Sequence, residues 1–245
     1  MNAARWIAGR LGYDLVNKRR SHLRLEHHLG ILLRKLRIDC VIDVGANRGQ
    51  FGAMLRGLGY RGRIASFEPL APCRAALEER AKGDSAWQVH PLALGAAPGR
   101  RRFRELEFAE LSSFLAPADA AAERFGPGAR LRGEREVEVH RLDELFPRIT
   151  EGLPAPRVFL KMDTQGFDLE VFRGAAGCLE RVAALQSEMS VLPLYEGMPD
   201  YLEALAAYRA GGFEVTGFYP VFRERESLVI GEFDCVMARR PAPRP

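Results

Sequence analysis

The sequence contains few cysteines and no long apolar run. Its four cysteines, Cys40, Cys73, Cys178 and Cys235, are scattered without a close pair, a pattern that excludes a disulfide framework and a cysteine-based zinc site. No apolar run approaches the roughly 20 residues needed to span a bilayer. Residues 1–10 also lack the apolar core and small-residue cleavage site of a signal peptide. We therefore expect a cytoplasmic protein with reduced cysteines.

Histidine is also scarce, with five in the chain. No two histidines have the spacing that places metal ligands on one face of a convincing helix, so the sequence predicts no bound metal. Magnesium (Mg²⁺) is compatible with carboxylates at the ends of strands, because it prefers hard oxygen ligands, but the sequence does not predict it.

The positive charge of the chain is concentrated at one end. Residues 1–39 carry nine Lys or Arg and three acids, a net charge of +6, whereas the remainder carries 27 basic and 29 acidic residues, a net charge of −2. A slightly acidic main domain argues against a nucleic-acid enzyme. The basic segment would suit a membrane surface, an anionic substrate or a partner, or it is simply a solvated helical face.

The pattern of apolar runs indicates one α/β domain. The chain length of 245 residues suits a single domain with one large core. We predict a basic helical extension over residues 1–38, broken near Gly12 and Gly30, a main domain over residues 39–238, and a disordered tail over residues 239–245. Strands alternate with helices, which predicts a doubly wound, mostly parallel sheet. The predicted parallel strands are 40–44, 63–67, 86–90, 157–162 and 182–188. Two last strands, 213–218 and 233–238, have no helix between them and should form an antiparallel hairpin.

Residues 92–150 are less regular than the rest. Strand-like runs at 100–105 and 136–140 flank a polar stretch rich in Ala, Gly and Pro at 117–133, which we expect to be a mobile surface excursion. Long irregular segments in compact domains tend to carry function. We therefore predict that this region supplies loops facing the substrate.

The turn after the first strand is the most informative segment. Gly45 lets the backbone approach a ligand closely, and the start of the following helix offers free N–H groups. The turn lacks the G-x-G-x-x-G pattern of nicotinamide enzymes, and Asp43 would repel a pyrophosphate. It suits a cationic ligand better, and S-adenosylmethionine carries a sulfonium and an ammonium. Glu68, at the end of the second strand, can accept hydrogen bonds from both ribose hydroxyls of an adenosine.

Three segments in order resemble a known family. They are Asp43–Gly49 (DVGANRG), Phe67–Pro69 (FEP), and Leu160–Gly166 (LKMDTQG) with Leu169–Gly174 (LEVFRG). Together they resemble the motifs of FkbM-type methyltransferases, and the resemblance extends from about Cys40 to Ala238. It implies a class I methyltransferase, Rossmann-like fold, S-adenosylmethionine as donor, and O-methylation of a sugar, a polyketide or a related small molecule.

The resemblance also implies roles for individual residues. The methionine end of the donor would lie on the first motif and the ribose on Glu68. The family usually carries an acid at the position of Gln165, so this chain departs from the pattern there. The candidate donor-binding residues are Asp43, Gly45, Ala46, Asn47, Gly49, Gln50, Phe51, Glu68, Pro69, Ala93 and Asp163.

Three side chains are candidates for catalysis: Asp163, Glu188 and Lys161. Asp163 ends the fourth predicted strand, Lys161 lies two positions earlier on the same face, and Glu188 ends the adjacent strand. Methyl transfer needs positioning and a base for the hydroxyl proton, for which we favour Asp163 or Glu188. The alternative is that Lys161 and Glu188 form a structural ion pair.

Candidates for substrate binding are Ser113, Gln165, Tyr195 and Glu196, which flank the same edge of the sheet. The predicted partner is a small-molecule hydroxyl acceptor, such as a glycoside, and not a nucleic acid. Two other interpretations remain open: a donor-binding protein without catalysis, and a dinucleotide-dependent oxidoreductase. A macromolecular methyltransferase is a third option, although the chain has no Asn-Pro-Pro-Tyr motif for base amines.

Overall fold

Seven strands form the central sheet of the fold in a computed structural model, which describes residue 10 and residues 24–240. The described residues contain ten strands in all: β1 (Cys40–Val44), β2 (Arg63–Phe67), β3 (Trp87–His90), β4 (Ala93–Leu94), β5 (Gly99–Leu106), β6 (Leu131–His140), β7 (Val158–Met162), β8 (Val182–Ser190), β9 (Phe213–Arg223) and β10 (Ile230–Arg239). The described helices are α1 (Leu25–Lys35), α2 (Gln50–Gly57), α3 (Ala71–Ala81), α4 (Asp119–Phe125), α5 (Leu142–Ile149), α6 (Asp168–Arg173) and α7 (Tyr201–Ala210). None of these helices has both the length and the apolar character needed to cross a bilayer.

The central sheet has the order β3-β2-β1-β7-β8-β10-β9. Strand β10 is antiparallel to both of its neighbours, β8 and β9. All other pairs in this sheet are parallel. Every residue of β1 and of β7 is buried, as expected for parallel strands covered by helices on both faces. The predicted doubly wound, mostly parallel sheet with a terminal antiparallel hairpin is therefore confirmed.

The irregular region of the sequence is more ordered than predicted. Strands β5 and β6 pair antiparallel, and β4 joins them to make a separate three-stranded sheet. The expected surface excursion at 117–133 contains helix α4 and a short 3₁₀ helix, Gly126–Ala129. Its alanines Ala121 and Ala129 are buried against Leu194 and Tyr195. The segment is held by contacts with a distant part of the chain, which its own composition does not reveal.

The helix of the N-terminal extension is continuous through Gly30. The predicted break at Gly30 is wrong, because Leu29, Leu32 and Leu33 are buried in the core cluster that contains Phe159, and this burial offsets the cost of about 1 kcal/mol for an interior glycine. The predicted break near Gly12 and most of the basic extension lie outside the described residues.

The last strand continues one residue into the segment predicted as a tail. The Arg239 guanidinium donates hydrogen bonds to the carbonyl oxygens of Leu179 and Val182 and lies over the Phe213 ring. These contacts explain why β10 includes Arg239. Arg240 follows the strand and is described, whereas residues 241–245 of the predicted tail lie outside the described residues.

Candidate active site

A cavity of about 280 Å³ lies beyond the carboxyl ends of β1, β2, β7 and β8. This is the edge of an open α/β sheet where ligands commonly bind. Seven of the residues predicted to bind the donor line the cavity: Gly45, Asn47, Gln50, Glu68, Pro69, Ala93 and Asp163. Gln165 and Glu188 also line it.

The turn from β1 to α2 is fixed by close backbone contacts. The N–H groups of Gly45 and Ala46 both donate to the carbonyl oxygen of Phe67, at 3.1 and 3.0 Å. Gly45 has a φ of +75°, and a Cβ there would lie 1.9 Å from the carbonyl oxygen of Asp163. The turn therefore fits between the ends of β2 and β7 only with glycine at this position.

Glu68 is buried at the end of β2, and both its carboxylate oxygens are oriented by backbone N–H groups. Oε2 accepts from Asn47 at 2.9 Å, and Oε1 accepts from Leu70 at 2.8 Å. Burial raises the pKa of this carboxyl, and the two N–H groups oppose the rise. Each oxygen keeps a further lone pair for a ligand. The Asn47 Oδ1 atom beside it is buried and has no hydrogen-bond partner among the described residues.

Lys161 is buried between β1 and the end of β7. Its Nζ atom lies 3.1 Å from Asp43 Oδ1, 3.3 Å from Asp163 Oδ2 and 3.1 Å from the Gly45 carbonyl oxygen. Burial alone would lower the pKa of Lys161, but the two carboxylates outweigh it and hold that pKa above its ordinary value. Burial raises the pKa of Asp43, and Lys161 opposes the rise.

This placement differs from two sequence interpretations. Lys161 does not line the cavity, so this candidate for catalysis is not positioned to contact a ligand there directly. The alternative ion pair with Glu188 is not formed either, since Lys161 is paired with Asp43 and Asp163. The reason is register: Asp43 is the residue directly beside Lys161 in the parallel pair of β1 and β7.

Four predicted donor-binding residues are not in the cavity wall. Asp43 is completely buried and also accepts a hydrogen bond from Ser66. Ala46 is buried, and Gly49 immediately precedes α2, with a φ of +81°. Phe51 stacks on Phe159 inside the core. These residues form the turn between β1 and α2 or lie in the elements on either side of it.

Three predicted substrate-binding residues also lie outside the cavity wall. The Ser113 hydroxyl donates to the Gln165 carbonyl oxygen at 2.7 Å. Tyr195 is turned inward, with its hydroxyl 2.7 Å from Gln165 Oε1 and 2.8 Å from the Leu111 carbonyl oxygen. Glu196 is exposed. The segment after β8 folds onto α4, and this packing buries Tyr195 instead of presenting it to a substrate.

Gln165 links the two candidate bases. Its Nε2 atom lies 3.1 Å from Asp163 Oδ1 and 3.1 Å from Glu188 Oε2. The side chain of Asp163 is 38% exposed, which leaves it accessible from the cavity. Burial raises the pKa of Glu188 well above its ordinary value, and nearby carboxyl groups, Asp163 first among them, raise it further.

Two further acids reach this region from β10. Glu232 lines the cavity and forms an ion pair with Arg124 of α4. Asp234 accepts a hydrogen bond from Gln186 at 2.8 Å, and burial raises its pKa to about 6. The sequence analysis did not single out either residue, because nothing local indicates that β10 inserts beside β8.

Asp168 is the main residue of the site that the sequence analysis missed. It is buried, and its carboxylate accepts from the Thr164 N–H at 2.8 Å and from the Ser187 hydroxyl at 2.7 Å. It thereby fixes the turn that carries Asp163 and Gln165. Its position at the start of a helix was the only available signal, since acids are favoured there.

The sequence of the chain matches a family model described as the methyltransferase FkbM domain, over residues 43–215. A curated relative, the AMB antimetabolite synthetase AmbE of Pseudomonas aeruginosa, is 37% identical over 87 residues, which are 34% of this chain. The match covers 4% of that protein. The chain therefore spans a small fraction of the relative, and the family model is the broader match.

Solved methyltransferase structures resemble the fold of this chain at low sequence identity. An rRNA methylase from Streptococcus thermophilus is 12% identical, with a TM-score of 0.46, over 88% of this chain and 96% of that chain. A precorrin-6y C5,15-methyltransferase from Geobacter metallireducens is 14% identical, with a TM-score of 0.41, over 89% and 91%. Fibrillarin from Aeropyrum pernix, with natively bound S-adenosyl-L-methionine, is 12% identical, with a TM-score of 0.44, over 82% and 66%.

Replacing Gly45 by alanine tests the packing of the first turn. We expect Gly45→Ala to lower the free energy of unfolding by about 3 kcal/mol or more, because the new Cβ would add a clash to the left-handed backbone strain. Gly59→Ala is the matched control, since Gly59 has a φ of +87° and no described atom lies within 4 Å of the point that its Cβ would occupy; strain alone should cost about 1–2 kcal/mol there. Urea denaturation measures both, and equal losses would contradict the clash.

The pH dependence of stability in Asp234→Asn tests whether the pKa of Asp234 is raised. A carboxyl whose folded pKa is about 6 and whose ordinary value is 3.8 destabilises the fold increasingly as pH rises from about 4 to about 6. Asp234→Asn should therefore be more stable than the parent at pH 7.5, by up to about 3 kcal/mol, and the difference should vanish near pH 4. Glu226→Gln, at an exposed turn, is the control. A pH-independent difference for Asp234→Asn would refute the raised pKa.

Proposed function

This chain belongs to the FkbM family of methyltransferases, and on that basis we propose that it uses S-adenosylmethionine to methylate a hydroxyl oxygen of a small molecule. A sugar, a polyketide or a related hydroxyl compound is the acceptor class we favour. The observation that carries the proposal is the convergence of Gly45, Glu68 and Asp163 on one cavity at the carboxyl ends of adjacent strands.

The donor side of the cavity fits a cationic nucleoside. Asp43 and Asp163 contact the ammonium of Lys161, and Glu68 adds a third carboxyl group close enough to interact with it electrostatically. The local charge therefore favours a ligand that carries a sulfonium and an ammonium. Glu68 would accept the ribose hydroxyls with the lone pairs that its backbone partners leave free. Asn47 Oδ1, which has no partner among the described residues, offers one more acceptor beside it. When bound, the donor supplies a methyl group activated by attachment to a positive sulfur.

The chain itself supplies positioning and a proton acceptor. Asp163 is the accessible carboxylate at the end of β7, and Lys161 and Gln165 hold its two oxygens in place. A hydroxyl hydrogen-bonded to Asp163 would be oriented for attack and would pass its proton to that carboxylate. Glu188 is the second candidate base, since it faces the same cavity.

The acceptor side of the wall supports a small neutral acceptor. Its carboxyl groups include Glu188 and Glu232, and the guanidinium of Arg124 in the same wall is already paired with Glu232. Carboxylates accept hydrogen bonds from hydroxyls and repel phosphate. The wall also contains the ring of Phe125, which can pack against an apolar face of a sugar or polyketide. We therefore favour a glycoside or similar compound over a nucleic acid.

Calorimetric titration with S-adenosylhomocysteine, with NAD as the control ligand, tests the donor. We expect binding of the first and not of the second, and at least a tenfold weaker affinity for S-adenosylhomocysteine in Glu68→Gln, because hydrogen bonds to a charged group contribute about 1.5–3 kcal/mol. Glu78→Gln, on the exposed face of α3, should bind like the parent. Binding of NAD alone, or equal affinity in both variants, would refute the adenosine site at Glu68.

Transfer of an isotopically labelled methyl group tests the acceptor class. With labelled S-adenosylmethionine and a panel of glycosides, polyketides, amines and carboxylic acids, we expect label in hydroxyl compounds, as ethers that survive alkaline treatment. Asp163→Asn should slow transfer much more than it weakens binding of S-adenosylhomocysteine, because its role is with the acceptor proton. Label that enters amines, alkali-labile esters or RNA would contradict O-methylation of a small molecule.

A further inference from the structure

The backbone of the turn after β7 is held in an uncommon conformation at Gln165. Its φ is +55°, in the left-handed region that residues other than glycine rarely occupy. The surroundings fix it there: the Ser113 hydroxyl donates to the Gln165 carbonyl oxygen at 2.7 Å, and Asp168 binds the preceding N–H of Thr164 at 2.8 Å. Such backbone outliers, when over-determined by their surroundings, cluster at functional sites.

The side-chain amide of Gln165 bridges two carboxyl groups. Its Nε2 atom is 3.1 Å from an oxygen of Asp163 and 3.1 Å from an oxygen of Glu188. An amide nitrogen has two hydrogens, so one is available for each carboxyl group. The uncharged amide of Gln165 can therefore donate one hydrogen bond to Asp163 and one to Glu188.

The orientation of this amide is fixed from its other end. Gln165 Oε1 lies 2.7 Å from the hydroxyl of Tyr195, which is itself buried and 2.8 Å from the Leu111 carbonyl oxygen. A flipped amide would point its oxygen at two carboxyl groups, which offer no donor when ionised. With the nitrogen facing the acids, Gln165 Oε1 accepts from the Tyr195 hydroxyl, whose single hydrogen it shares with the Leu111 carbonyl oxygen.

We propose that Gln165 is a positioning residue, whose amide, anchored by Tyr195, fixes the carboxyl groups of Asp163 and Glu188 relative to each other at the acceptor side of the cavity. The inference rests on the proposed function, in which those carboxyl groups face the acceptor hydroxyl. Gln165 acts through them and needs no contact with the reacting atoms.

The charges around Glu188 explain why an amide suits this position better than an acid. Negative groups face it from three elements: Asp163 after β7, Asp168 on α6, and Glu232 and Asp234 on β10. The cations of this region form ion pairs with other acids. Lys161 is paired with Asp43 and Asp163, and Arg124 is paired with Glu232. A carboxylate at position 165 would add one more negative charge, whereas the amide lowers the repulsion by donating to both neighbours.

The titration of Glu188 in the full chain tests this role without an acceptor. Glutamate side chains labelled with ¹³C at the carboxyl carbon report it by NMR, with Glu188→Gln identifying the Glu188 signal. We expect the midpoint to lie above the ordinary glutamate value in the parent, and to rise by a further unit or so, about tenfold in proton affinity, in Gln165→Met, which keeps the bulk and removes both donors. Gln165→Glu should raise it at least as much, with a two-step titration.

The controls separate positioning from general damage. Gln88→Glu makes the same change at an exposed position of β3 and should leave the Glu188 midpoint unchanged. Tyr195→Phe removes the anchor and keeps the amide, so it should cause a smaller rise in the same direction. A purely structural role would lower the unfolding temperature of Gln165→Met and leave the Glu188 midpoint at its parent value; that result would overturn the proposal.

A measurement on the parent protein covers the case in which Gln165→Met does not fold. The two Nε2 protons of Gln165 should have distinct chemical shifts, and both signals should move as Glu188 titrates; signals that ignore that titration would overturn the proposal. Failure of the proposed function would instead appear as absent binding of S-adenosylhomocysteine or absent methyl transfer. Neither of those results changes the carboxyl titration, so the two failures are distinguishable.

Discussion

The buried ammonium of Lys161 is the interaction on which the rest of the site depends. It lies within 3.3 Å of oxygen atoms from Asp43, Asp163 and Gly45, so its three N–H donors have three acceptors. Asp43 can be fully buried beside the carboxyl group of Asp163 because this cation compensates the charge of both. Truncating one partner of such a group typically costs about 3–5 kcal/mol. The same contact fixes the end of β1, the end of β7 and the turn between β1 and α2, where the donor is proposed to bind.

The parts of the fold that depend on local pattern were predictable from the sequence. The limits of β1 and β2 follow from short, mostly apolar segments that end before Gly45 and before Glu68 and Pro69. The positions of Asp43 and Glu68 at the ends of these strands were predicted with them. The helix that begins with Leu142 was missed, although Leu142, Phe146 and Ile149 have helical spacing and are buried. Pro147 inside that helix and the polar residues around it hid the pattern.

The parts that depend on distant partners were not predictable. Tyr195 follows β8 at the carboxyl end of the parallel strands, a position that favoured a contact with the substrate. Packing on α4 turns its side chain inward instead. Gln165 bridges Asp163 and Glu188 only because β7 and β8 are neighbours and the turn is left-handed at this residue. No spacing in the sequence specifies a left-handed glutamine or the side on which β10 enters the sheet. Glu232 and Asp234 reach the site through that topology alone.

The insertion of β10 between β8 and β9 has a consequence for the order in which the site is completed. The turn after β1 and the end of β2 require residues 43–70, and the end of β7 completes by residue 163 the side where the donor is proposed to bind. The acceptor side also needs Glu232, which cannot take its place until β10 has paired with β8. In the order of synthesis, the residues of the half proposed to bind the donor therefore precede those that complete the half proposed to bind the acceptor. The second half is complete only when β10 lies between β8 and β9.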